Sequence, residues 1–142
     1  MNPPLLIVAS HGNMASSAIE STFQIFGRFD NVIAIGLDQN GRLDEFELSI
    51  LDARKNFGSD RPTLLLVDLF GGSCSNVGAK LLKKQKETDY PLRIIAGFNL
   101  AMLIEFAFSR DKYDFDQLVD RILEAGKKAC LDVNAKFKEM SR

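Results

Sequence analysis

A single histidine, His11, is all the imidazole this sequence holds. That excludes a metal centre built from several histidine ligands and confines imidazole chemistry to one position. Cysteine is almost as sparse. Cys74 and Cys130 are the only 2 and form no C-x-x-C pair, so neither a disulfide framework nor a zinc site is expected, and a reducing compartment would keep both as thiols. An excess of one charge is also missing: 18 Lys and Arg stand against 19 Asp and Glu, a formal net charge of -1. Nothing in that balance draws the chain to nucleic acid or to an anionic bilayer. The most apolar late stretch, Ile94 to Phe108, is interrupted by Asn99 and Glu105 and is short for a membrane span. The opening Met1-Asn2-Pro3-Pro4 lacks the basic, apolar and cleavage regions of a secretory signal, so a cytoplasmic location is expected. No repeat, proline-rich linker or low-complexity segment divides the chain. Its 142 residues, 46% of them hydrophobic, suit one domain with a real core, residues 1–142.

What is present is alternation. Four short β-rich runs, Leu5 to Ser10, Val32 to Leu37, Thr63 to Leu69 and Leu92 to Phe98, are separated by longer helical patterns. The helices are expected at Met14 to Phe26, Leu43 to Phe57 and Ser75 to Gln85, with Leu100 to Phe108 after the fourth strand. Connections of that length carry right-handed crossovers between parallel strands. The runs Leu5-Leu6-Ile7-Val8-Ala9 and Leu64-Leu65-Leu66-Val67 are continuously apolar, as central strands covered on both faces must be. A doubly wound, mainly parallel α/β sheet of order 2-1-3-4, with helices on both faces, follows. Phe115 to Ala129 reads as a last amphipathic helix burying Leu118, Ile122, Ala125 and Ala129. Beyond it, Leu131, Val133, Ala135 and Phe137 alternate with polar residues, a period compatible with a terminal strand as well as with continued helix.

In open α/β sheets ligands bind beyond the carboxyl ends of the strands, where successive crossovers diverge. Two chemically unusual segments fall there. Ser10-His11-Gly12-Asn13 follows the first strand, and Asp68-Leu69-Phe70-Gly71-Gly72-Ser73 closes the third. Neighbouring strands run about 4.8 Å apart, so His11 and Asp68 can meet within hydrogen-bond reach. A carboxylate accepting from one imidazole nitrogen fixes the tautomer and stabilises the cation, leaving the other nitrogen free to attack phosphorus. Gly71 and Gly72 can aim successive N–H groups at one anion, helped by the following helix N-terminus. Ser73 adds a hydroxyl, and Gly12 lets phosphate approach the backbone. No metal and no cofactor is needed for these roles. Taken singly, each feature has a plainer explanation, such as a solvated histidine, an aspartate capping its own turn, or glycines punctuating a strand–helix junction. Their convergence on one crevice points to a phosphate-competent His–Asp site.

At these residues the sequence resembles the IIA subunits of the mannose-type bacterial phosphoenolpyruvate-dependent sugar phosphotransferase system, over nearly its full length. The resemblance rests on Ser10-His11-Gly12, on Leu66-Val67-Asp68-Leu69-Phe70-Gly71-Gly72-Ser73, and on Ala96-Gly97-Phe98-Asn99-Leu100-Ala101-Met102-Leu103. It implies that His11 accepts a phosphoryl group from the phosphocarrier HPr and donates it to a separate IIB protein, with the membrane IIC and IID proteins as indirect partners. It implies further that Asp68 hydrogen-bonds His11, and that Asn99 and Met102 help line the pocket; Ser10 and Phe70, in the two segments that hold His11 and Asp68, are expected to line it too. A homodimer is implied as well, in which a terminal strand, here Leu131 to Phe137, exchanges between subunits, and so is peripheral attachment to the membrane through the transporter. Leu69 and Phe70 stand where many relatives have a polar residue and tryptophan, and Cys74 where proline is common. Two other readings stay open at this point. One is the phosphoryl-donor subunit of a dihydroxyacetone kinase. The other is a cysteine hydrolase or acyltransferase using Cys74 near a helix N-terminus with His11 as base.

Overall fold

The computed structural model describes residues 2–141. Strands β1 (Leu5–His11), β2 (Val32–Leu37), β3 (Thr63–Val67) and β4 (Leu92–Ala96) form one sheet. Helices α1 (Met14–Phe26), α2 (Leu43–Phe57) and α3 (Ser73–Lys84) lie between them, and α4 (Leu100–Ser109), α5 (Phe115–Ala129) and α6 (Val133–Met140) follow. The strand order is β2-β1-β3-β4, as expected, and each neighbouring pair is parallel.

The apolar runs of β1 and β3 are buried on both faces, and their side chains alternate between two cores. Leu6, Val8, Leu64 and Leu66 point to the side packed by Ile19 of α1, Leu103 and Phe106 of α4, and Leu118 and Ile122 of α5. Leu5, Ile7, Leu65 and Val67 point to the other, against Phe46 and Ile50 of α2 and Val77 and Leu81 of α3. With both faces covered, the open place on the sheet is its carboxyl end, where β1 and β3 lie side by side and their connections leave towards opposite faces.

Element ends shift in ways the backbone explains. β4 stops at Ala96, not Phe98, because Gly97 turns at φ +82 and the N–H groups of Gly97 and Phe98 both donate to the Val67 carbonyl, at 2.9 and 3.3 Å. β3 likewise ends at Val67, ahead of the Asp68 turn, and α3 starts two residues earlier than its apolar spacing suggests, with Gly72 as N-cap. In α5 the buried stripe is Leu118, Val119, Ile122 and Gly126, so Ala125 and Ala129 do not form the inner face. The terminal-strand expectation for Leu131 to Phe137 is corrected: the segment is helical from Val133 to Met140. The Asp132 carboxylate accepts from the Ala135 N–H at 3.2 Å, an N-cap that overrides a short alternating pattern. No residue of α6 is buried.

Candidate active site

His11 is the last residue of β1, paired with Leu37 of β2. The chain leaves it through Gly12 at φ +58, and the Gly12 N–H donates to the Leu37 carbonyl at 2.8 Å, pinning the turn to β2. Helix α1 then begins at Met14 without help from the side chain of its N-cap, Asn13. Ser10 supplies the cap instead: its fully buried hydroxyl accepts from the Ala15 N–H at 2.8 Å. Ser10 thus ties the helix to the strand beneath His11; it does not line the pocket, contrary to the expectation for it.

Across the β1–β3 seam, Asp68 Oδ2 accepts from the His11 ring Nδ1 at 2.7 Å and from the His11 backbone N–H at 2.9 Å. Its other oxygen, Oδ1, accepts from the Leu69 N–H at 2.9 Å. Burial acts to raise the Asp68 pKa, but the bonds from the His11 amide, the His11 ring and the Leu69 amide outweigh it, and the carboxyl titrates below its ordinary value. An ionised carboxylate only accepts, so in the neutral ring Nδ1 is the nitrogen that carries the proton and Nε2 the one with the lone pair. The Asp68 side chain is 9% exposed and the His11 side chain 49%. The orienting group is therefore sheltered while the ring it holds is open to a visiting molecule.

Gly72 stands over the ring, since a Cβ there would lie 3.7 Å from His11 Cε1. Gly71, at φ +81, has open space where its side chain would be. Ser73 opens α3 and shares with His11 and Gly12 a shallow pocket of about 540 Å³, completed by Leu37, Asp38, Gln39, Gly41 and Leu43. The first turns of α1 and α3 carry no acidic residue, whereas that of α2 carries Asp44 and Glu45. The two helix ends nearest His11 therefore keep their positive potential for an anion.

Other expected residues go elsewhere. Phe70 is 91% exposed and is not among the residues that line the pocket. Asn99 caps α4, its Oδ1 accepting from the Met102 N–H at 3.2 Å and its Nδ2 donating to the Gly126 carbonyl at 3.0 Å. Met102 is 3% exposed, inside the core beneath α4 and α5. Both follow β4, which β3 separates from β1, and they hold helices together. Cys74 is fully buried. Burial first, and then the Asp68 charge, push its thiol up to about 11, so at neutral pH it is no thiolate nucleophile. The cysteine hydrolase reading fails on that point.

Sequence reasoning missed Gly36. It sits in β2, where a Cβ would stand 2.6 Å from the Gly12 carbonyl oxygen. A glycine inside an otherwise apolar strand was the available signal.

Among known proteins, a family model described as "PTS system fructose IIA component" matches residues 5–123. The fructose-specific EIIA component of Bacillus subtilis (strain 168) is 26% identical over 82% of this chain and 77% of its own length. The sorbose-specific EIIA component of Lacticaseibacillus casei is 29% identical over 84% and 83%. A crystal structure of the EIIA component from Streptococcus agalactiae superposes with TM-score 0.84 at 26% identity, over 92% of this chain and 98% of that one. The mannose/sorbose-specific IIA subunit from Enterococcus faecalis does so with TM-score 0.80 at 32% identity, over 92% and 95%.

Proposed function

Because the chain belongs to the EIIA-man family of phosphotransferase-system IIA components, a family of phosphoryl relays in sugar uptake, we propose that His11 is the residue that carries the phosphoryl group. The observation that supports this most directly is the 2.7 Å bond from His11 Nδ1 to Asp68 Oδ2 beneath a half-exposed ring. In the forward step the Nε2 lone pair bonds to phosphorus while the bond from phosphorus to the donor breaks, its electron pair leaving with the donor. The ring becomes cationic, and Asp68, already ionised and fixed by two backbone N–H groups, stabilises that charge without moving. The transferred oxygens are received by the α3 N-terminus, with Gly71, Gly72 and Ser73 around them. The return step, to an acceptor protein, reverses the same geometry.

A relay must dock whole proteins in turn, and HPr and a IIB protein are the partners this reading assigns. Met14, Leu69 and Phe70, each apolar and exposed, flank His11 and Asp68 in sequence, and exposed Leu43 shares its pocket. An apolar rim around a polar centre suits such transient docking. No helix among the described residues is long and apolar enough to cross a membrane, and in this reading the chain works in the cytoplasm and meets the membrane through the transporter. A homodimer belongs to the same proposal, supported by the uncovered apolar residues Val133, Phe137 and Met140 of α6.

Incubation with phosphoenolpyruvate, the general phosphotransferase enzyme and HPr is expected to load one acid-labile, alkali-stable phosphoryl group per chain. The His11→Ala variant, folded by circular dichroism, is expected to take none. Loading that survives in His11→Ala removes the proposal.

A further inference from the structure

Among the described residues, one trio of potential metal ligands is drawn together: a ring nitrogen of His11, a carboxylate oxygen of Asp68 and Sγ of Cys74 all lie within 4.8 Å of one another. Phosphoryl transfer through Nε2 has a use for the first two and none for the third. We propose that the three form a switching site for a thiophilic divalent cation such as Zn2+, whose binding blocks phosphoryl acceptance. The blocking half of this inference rests on the relay reading; the binding half does not.

The donor set decides the class of ion. One imidazole nitrogen, one carboxylate oxygen and one thiolate sulfur suit a borderline-soft cation, whereas Mg2+ and Ca2+ favour sites made of oxygens. A dication binds with loss of the thiol proton to solvent, while the ring proton passes from Nδ1 to Nε2, so that a neutral imidazole ligates through Nδ1; three metal–ligand bonds form and nothing is oxidised or reduced. With carboxylate and thiolate both anionic, the trio neutralises the ion's charge. Tetrahedral zinc, with bonds of about 2.0–2.3 Å, holds its ligand atoms about 3.3–3.7 Å apart. The His11 Nδ1–Asp68 Oδ2 pair, 2.7 Å apart, must therefore open by about 0.6–1 Å, while the wider separations of the trio, within 4.8 Å, close by up to about 1 Å; the half-exposed His11 ring is the member free to move. Asp68, 9% exposed, and the buried Cys74 would form the floor of such a site, with the half-exposed His11 ring on its open side.

Such an ion withdraws electron density from the imidazole and takes over the carboxylate that orients it, so the two features that activate Nε2 are lost together. Cys74 thereby acquires a role that burial denies it as a nucleophile: the softest ligand of the trio, placed under the phosphoryl-accepting residue.

Unphosphorylated full-length protein is to be titrated with Co2+, whose thiolate charge-transfer and tetrahedral d–d absorptions report the ligands. Wild type is expected to show both, to lose them when Zn2+ is added, and to keep them when Mg2+ is added. Cys74→Ala, with Cys74→Ser as a second variant should alanine disturb the core, is expected to lose the charge-transfer band. His11→Ala is expected to bind about 100-fold more weakly, since even outer-sphere losses cost ~10–100-fold. A wild type without the band overturns the site, whatever its phosphoryl chemistry. In a second arm, acceptance from phosphorylated HPr is measured with and without Zn2+. A drop of about tenfold or more in wild type, absent in Cys74→Ala, supports the switch, and equal inhibition of both overturns it. Protein that binds Co2+ through Cys74 yet takes no phosphoryl group in metal-free buffer sinks the relay reading and the switch, and leaves the metal site standing.

Discussion

Gly36 and Gly12 touch backbone to backbone across the β1–β2 edge: a methyl group on Gly36 would stand 2.6 Å from the Gly12 carbonyl oxygen. Since Gly12 is also bonded through its N–H to Leu37, β2 is the bed on which the His11 turn rests. Gly36→Ala must push that turn outward, and because the obstacle is backbone it cannot swing aside. The expected cost is about 1–3 kcal/mol of stability, read from urea unfolding, together with slower phosphoryl acceptance by a fully folded sample. An unchanged rate would show that β2 does not position His11.

Asp68→Asn keeps the size of the side chain and removes its charge. The amide oxygen can still accept from the His11 N–H in place of Oδ2, but its NH2 then faces the Leu69 N–H that Oδ1 had accepted from, and it cannot stabilise an imidazolium as an ionised carboxylate does. Acceptance from phosphorylated HPr is expected to slow about 100-fold, within the range for losing a positioned proton-handling group. Nitrogen NMR of the ring should show the Nδ1–H tautomer dominant in wild type and mixed in the variant. A variant with wild-type kinetics and tautomer would remove the role assigned to Asp68.

The parts of the molecule that were legible in the sequence are those where one local pattern meets no competitor. The all-apolar runs of β1 and β3 announce a doubly covered parallel sheet, and that order alone places His11 beside Asp68. Less legible were residues whose meaning lies in a partner distant in sequence. Asn99 and Met102 sit in a segment that resembles a pocket wall, and only the packing of α4 on α5 shows Met102 lying against Gly126. Ser10 looked like a site residue because it adjoins His11, but its hydroxyl is committed to the Ala15 N–H. The terminal segment failed for another reason: over seven residues period two and period 3.6 share several positions, and the Asp132 cap decides between them.

Asp68 also sets an acid limit. Its carboxyl is held below the ordinary 3.8 in the folded protein and returns to that value on unfolding. Above the ordinary value its contribution to stability is complete. As pH falls below it, the unfolded chain takes up the proton first, and the contribution drains away until the folded pKa is passed. Melting temperatures followed from about pH 5 to about pH 3 should therefore fall more steeply for wild type than for Asp68→Asn, which has no proton to bind there. Parallel curves would mean that the His11 and Leu69 bonds do not favour the charged form.

Gly126 and Met102 permit a test in which the sign of an effect reverses. On α5, a Gly126 Cβ would come within 2.7 Å of Met102 Cγ, so Gly126→Ala should lose about 1–3 kcal/mol to overpacking. Against that stands the helix preference for alanine over glycine, worth about 0.8–1 kcal/mol; the net change is expected to be unfavourable. Met102→Ala alone should cost about 2–5 kcal/mol through the cavity it leaves in the core. Once Met102 is truncated the obstacle is gone while the helix preference remains, so adding Gly126→Ala should stabilise the protein by about 1 kcal/mol. Chemical denaturation of the two single variants and the double variant measures this coupling directly. A Gly126→Ala effect of the same sign and size in both backgrounds would mean that the two side chains do not compete for one space, and the α4–α5 contact described above would have to be redrawn.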